Sequence, residues 1–127
     1  MNVTLRFIAD DLDPAAVTEA LGLSPSSTGR RGDSIVATLS RGQVISRPAI
    51  ASYWVLELQG RTPAKLRQAL TLLLNKAPGP MVWKGLNTYA ELTVHEAPSG
   101  STPVGIFGSD TVEQLKSRGV TIVINEE

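Results

Sequence analysis

The sequence predicts an α+β domain built on a ferredoxin-like split β-α-β sandwich, an antiparallel sheet with helices on one face, plus a C-terminal helix and strand. Three observations lead there. Residues 2–9 and 89–96 alternate apolar and polar side chains with the two-residue period of half-buried strands. Two segments repeat a capping residue followed by proline, Asp13-Pro14 and Thr62-Pro63, which is how a helix starts when its first N–H needs no partner. The resulting order, β-α-β-β-α-β and then a short strand or turn, a helix and a strand, begins with the split β-α-β series.

In the first strand Val3, Leu5 and Phe7 share one side, with Asn2, Thr4 and Arg6 on the other. The helix after Asp13 buries Val17, Ala20 and Leu21 and stops at Gly22. Ser24 to Asp33 is rich in turn formers and reads as a loop. Strands are expected over 34–39 and 53–58, with Ser40–Ser52 as a long connection that the pattern does not place. The helix from Pro63 puts Leu66, Ala69, Leu70, Leu73 and Ala77 on one face, and Pro78-Gly79-Pro80 ends it. In 89–96, Ala90, Leu92 and Val94 point inward and Tyr89, Glu91, Thr93 and His95 outward. Val104–Phe107 reads as a short strand or turn. A helix from Ser109 or Asp110 buries Val112 and Leu115 and stops at Gly119, and Val120–Ile124 is a last strand whose place in the sheet the pattern leaves open.

At 127 residues, with 42% apolar and 19% charged side chains, the chain fits one domain over 1–127. It has no cysteine, which excludes disulfides, thiolate metal sites and thiol nucleophiles and is compatible with a reducing cytoplasm. MNVTLRFIADD lacks the basic start and apolar run of an export signal, and no segment is long and apolar enough for a membrane span. A cytoplasmic protein is expected.

Net charge is zero, but residues 24–90 hold nine basic and two acidic side chains, a balance of +7 that the flanks offset. Interleaving of these blocks in the fold is the simpler reading, and a basic face for an acidic partner the sharper one.

The run Asp10-Asp11-Leu12-Asp13-Pro14, followed by Leu21-Gly22-Leu23-Ser24-Pro25, Gly32-Asp33 and the strand Tyr53-Trp54-Val55-Leu56, resembles domain of unknown function 4279, a family of small, mostly bacterial proteins. Gly105-Ile106-Phe107 ahead of a short helix and terminal strand fits the same pattern. The 40–52 connection and the Val123-Ile124-Asn125-Glu126-Glu127 ending depart from it. The resemblance implies a domain type and no activity.

No catalytic residue, metal ligand set or cofactor is assigned. Asp10, Asp11 and Asp13 lack the spaced ligands and closing glutamate of a calcium loop, and Asp13 already has a use as a cap. His95 is the only histidine; Glu91 and Thr93 share its face and are placed to orient it, as neighbours on any solvated sheet face would be.

The candidate ligand or partner residues are Arg30, Arg31, Arg41, Arg47, Leu72 and Trp83. Arg30 and Arg31 sit in a Ser/Gly loop of the kind whose amides hold phosphate, and Arg41 and Arg47 lie in the long connection. Few aromatics accompany these arginines, which argues against nucleic acid. Trp54 is expected in the core with its N–H satisfied, whereas Trp83, between Pro80 and Gly85, is expected partly exposed as a partner anchor. Leu72 lies about 120° from the buried stripe of its helix, bordered by Lys65 and Lys76, an apolar centre with a polar rim. A non-catalytic protein-interaction or regulatory module is therefore expected, with an unknown protein or a homodimer as partner. The alternative is a binder of a small anionic or phosphate ligand through the arginine loops; an enzyme ranks third.

Overall fold

The computed structural model describes the chain except residues 39–41, 43, 49–50, 60–61 and 127, and gives the backbone alone along 34–38 and 44–48. It is an α+β fold with a five-stranded mixed sheet, a separate two-stranded sheet and, among the described residues, five helices.

The strands are β1 (Asn2–Ala9), β2 (Ser27–Gly29), β3 (Ser34–Thr38), β4 (Val44–Pro48), β5 (Ser52–Leu58), β6 (Tyr89–Ala97) and β7 (Val120–Glu126). The helices are α1 (Pro14–Leu21), α2 (Pro63–Lys76), α3 (Pro80–Gly85), α4 (Pro103–Phe107) and α5 (Ser109–Ser117). In the main sheet the strands lie in the order β2-β5-β1-β6-β7. The first three neighbouring pairs are antiparallel, and β7 joins β6 in parallel. The expectation of a wholly antiparallel sheet is corrected there: the chain reaches β7 from the end of β6 through α4 and α5, and such a crossover delivers a parallel neighbour.

The β1 alternation is fulfilled. Val3, Leu5 and Phe7 are buried, and they join Leu92 and Val94 of β6 and Trp54 of β5 in one core that all five helices complete. Phe7 stands opposite Trp54 in the strand register and meets it edge-on, with centroids 5.5 Å apart and planes at 76°. The Trp54 indole N–H donates to Thr18 Oγ1 of α1 at 3.0 Å, so the largest core side chain is buried without an unpaired donor.

Both proline-started helices form as expected. Asp13 accepts from the Ala15 N–H at 3.1 Å and Thr62 from the Lys65 N–H at 3.2 Å. Leu66, Leu70, Leu73 and Leu74 of α2 face the core.

Four expectations are corrected. Ser24–Asp33 is not loop throughout, because Ser27–Gly29 forms β2 against β5. The strand expected at 34–39 exists as β3, but it pairs with β4 inside the supposed connection and makes its own two-stranded sheet. Pro80 starts the short helix α3. Pro103–Phe107 is a helix whose N-cap, Thr102, accepts from the Gly105 N–H at 3.0 Å. The Thr102 cap and Pro103 start α4, whereas α3 has no side-chain cap and starts on Pro80 alone.

Candidate interaction surface

The two edges of the main sheet are built differently. β2 is three residues long and polar. Its Gly29 lies under the Tyr53 ring of β5, where a Cβ would collide with the aromatic carbons. The chain then closes over this end: the Arg30 and Asp33 backbones and the Asp33 carboxylate bond one another, and the Arg31 N–H donates to Ser52 Oγ at 2.9 Å.

β7 at the opposite edge has seven residues, Val-Thr-Ile-Val-Ile-Asn-Glu, with no proline, lysine or glycine. Only β6 pairs with it among the described strands. Val120, Ile122 and Ile124 line up with Ala90, Leu92 and Val94 and so lie on the core side. Val120 is buried, but Ile122 and Ile124 are only half-buried, because the core stops at this strand. Beside them is a groove of about 400 Å³ lined by Pro103, Val104, Val112, Lys116, Val120 and Ile122. Its rim residue Val104 is 52% exposed.

The sheet face turned away from the helices carries a polar cluster. Arg6 stands opposite Glu91 and donates to its Oε1 at 2.8 Å. Thr93 Oγ1 donates to the same oxygen at 2.6 Å, and the Tyr89 hydroxyl to Oε2 at 2.8 Å. The Thr93 hydroxyl chiefly, aided by Tyr89 and Arg6 against an opposing push from partial burial, holds the Glu91 carboxyl below its ordinary range. The Tyr89 phenol is raised, mainly because its proton is committed to Glu91. His95, expected to have Glu91 and Thr93 as orienting neighbours, instead has Thr4 Oγ1 of β1 at 3.1 Å from its Nε2. Every carboxylate contact is thus met from within the sheet, an arrangement that ties β1 to β6 rather than presenting a free base.

The remaining candidates are scattered. Arg30 is exposed and donates to Asp13 Oδ1 at 2.9 Å, an ion pair that joins the basic central block to the acidic N-terminal flank. It borders a cleft of about 340 Å³ with Thr18, Thr28 and Asp33. Arg41 lies outside the described residues. Arg47 belongs to β4, where the backbone alone is described.

Leu72 is 61% exposed on α2, on the side away from the core, as its helical angle requires. Trp83 contradicts its expected exposure. It is buried, with its indole N–H donating to the Pro78 carbonyl at 2.9 Å, its ring 5.6 Å from Phe7 and the Arg118 guanidinium 5.6 Å above it. The physical reason is α3: once Pro80–Gly85 is helical, Met81 and Val82 turn outward and Trp83 turns in.

Sequence reasoning missed the β7 groove. Its signal was the uninterrupted β-branched run Val120–Ile124, but an edge is recognised only when the neighbours are known.

The described residues define a small α+β domain whose main sheet has one protected and one open edge. The chain matches the family model described as domain of unknown function (DUF4279) over residues 1–125, and it belongs to that family. No curated protein and no solved structure matches it. No helix among the described residues is long and apolar enough to cross a membrane.

Proposed function

We propose that the domain is a non-catalytic protein-interaction module that binds a protein partner by strand addition along β7. The observation that carries this reading is the open β7 edge running beside an apolar groove. Strand addition uses both features: main-chain groups of the edge hold the incoming strand, and alternate side chains of that strand enter the groove. Long, unblunted apolar edges are otherwise avoided because they aggregate, so retaining one implies a use. The Glu91 cluster supports the non-catalytic part, since its acceptors are engaged by Arg6, Thr93 and Tyr89.

The fold reading that accompanies this is the split β-α-β plan, with β1, α1, β2, β5, α2 and β6 as its six elements. The spatial order β6-β1-β5-β2 and the antiparallel pairing of these four strands support it. On that plan the β3–β4 hairpin is an insertion, and α4, α5 and β7 are an extension that supplies the interacting edge.

A small anionic ligand at Arg30 and Arg31 ranks second. The cleft beside Arg30 favours it, but Asp13 and Asp33 already occupy the Arg30 guanidinium and backbone N–H. Leu72, with Lys65 and Lys76, is a subsidiary contact. The cysteine-free composition supports a reducing, cytoplasmic setting.

The test is a photo-activated cross-linking residue placed at Thr121 of β7 and, separately, at Thr28 of β2, in the native cell. Defined protein adducts from Thr121 that disappear on adding Ile122→Lys, with none from Thr28, are expected. Absence of adducts from Thr121, or equal yields from both edges, overturns the reading.

A further inference from the structure

We infer that the strand added to β7 is the β7 of a second copy of this chain, joined across a two-fold axis at Val123. This rests on the strand-addition reading and names its partner. A two-fold, antiparallel pairing places each residue beside one on the same sheet face, so the two residue numbers of a pair must sum to an even value. Val123 is the midpoint of Val120–Glu126, and pairing about it overlaps all seven residues. That register sets Ile122 beside Ile124 of the second copy, Thr121 beside Asn125, and Val120 beside Glu126.

The inner pairs are chemically matched, and Glu126, which falls beside apolar Val120, is matched instead by a lysine next to that valine. The two half-buried isoleucines of each copy lie on the helix side, so four of them close the open ends of two cores over one another. Thr121 and Asn125, both exposed and on the polar face, meet as hydrogen-bonding neighbours. The edge also has opposite charges near its two ends, one from α5 and one from β7. Exposed Lys116 of α5 lines the groove at the Val120 end. Exposed Glu126 is at the other end on the same face, steadied by the Gly100 N–H at 3.2 Å. Reversal of one strand against the other brings the Glu126 of each copy to the Lys116 of its mate, twice per dimer. A parallel or foreign strand gains no such built-in match. The β2 edge offers none of these features, since a three-residue strand ending under Tyr53 has too few free backbone groups to pair.

The experiment is light scattering on the full chain between about 1 and 200 µM, for wild type, Lys116→Glu, Glu126→Lys, the charge-swapped double variant, and Ile122→Lys. Wild type is expected to reach twice the monomer mass. Each single reversal weakens association roughly tenfold, because the symmetric contact is lost at two places, and the swap restores it. Ile122→Lys abolishes association. Both charged positions are exposed, but Glu126→Lys also gives up the Gly100 contact, so urea unfolding of each variant is measured alongside to separate association from folding. A wild type that stays monomeric throughout, or a dimer indifferent to both the reversals and Ile122→Lys, overturns the inference. In that event Thr121 cross-links to a different protein would leave strand addition standing and replace only its partner, whereas no cross-link at all would remove both.

Discussion

One sheet ends in two opposite ways. At β2 the last strand is short and polar, it is pinned by a glycine beneath an aromatic ring, and the Arg30–Asp33 turn that follows is tied to Ser52 of β5. At β7 the last strand is long and apolar, and it leaves two isoleucines half covered. Both edges terminate the same core, so the difference is not a matter of how much apolar surface the domain had available. It teaches that edge protection here is local, made by particular residues, and that those residues are absent from β7.

The protected edge can be broken at Gly29. Gly29→Ala drives a methyl into the Tyr53 ring, and an overpacking cost of about 1–3 kcal/mol is expected in urea unfolding. Adding Tyr53→Ala should recover part of that loss. An unchanged midpoint would mean the ring is free to move aside and β2 is not pinned.

The link between the edges runs through β1 and β6, where Glu91 receives Arg6, Thr93 and Tyr89. Its folded pKa lies below the ordinary value of 4.5. The stability it contributes is therefore fully present above that unfolded value and is lost as pH falls through the folded one. Glu91→Gln should cost about 1 kcal/mol at neutral pH, little for a charge-assisted network because Arg6 is half exposed. It should also flatten the acid limb of a stability-against-pH curve. A variant whose acid limb matches wild type would show that other carboxylates dominate acid unfolding.

The smallest effect sharpens the comparison from a third surface. Leu72→Glu should change stability by less than about 0.5 kcal/mol, since the side chain is already 61% exposed. It should leave association through β7 intact. Loss of association with unchanged stability would move the interface from the sheet edge to α2.

How much of this was legible in the sequence depends on whether the signal was periodic or spatial. Alternation located β1 and β6, and capping located α1 and α2, because these follow from patterns within a few residues of one another. β2 was hidden, since Ser27–Gly29 has turn composition and is a strand only because β5 lies beside it. β4 was hidden for the same reason, paired to β3 within a segment of irregular pattern. Trp83 is buried against its sequence pattern because Pro80, which closes the α2 segment, also begins α3. The polar cluster was half legible. Glu91, Thr93 and His95 share a face by periodicity, but that Arg6 pairs with Glu91 and Thr4 with His95 required the β1–β6 register. The open edge was legible least of all, because an edge is defined by a missing neighbour.

The difference between the edges is tested most directly by amide hydrogen exchange of the wild-type chain, measured by mass spectrometry at low and high protein concentration. Backbone amides of 120–126 should become protected as concentration rises, while those of 27–29 exchange at a constant rate. Protection that does not depend on concentration at β7, or that appears at β2 instead, would contradict the account.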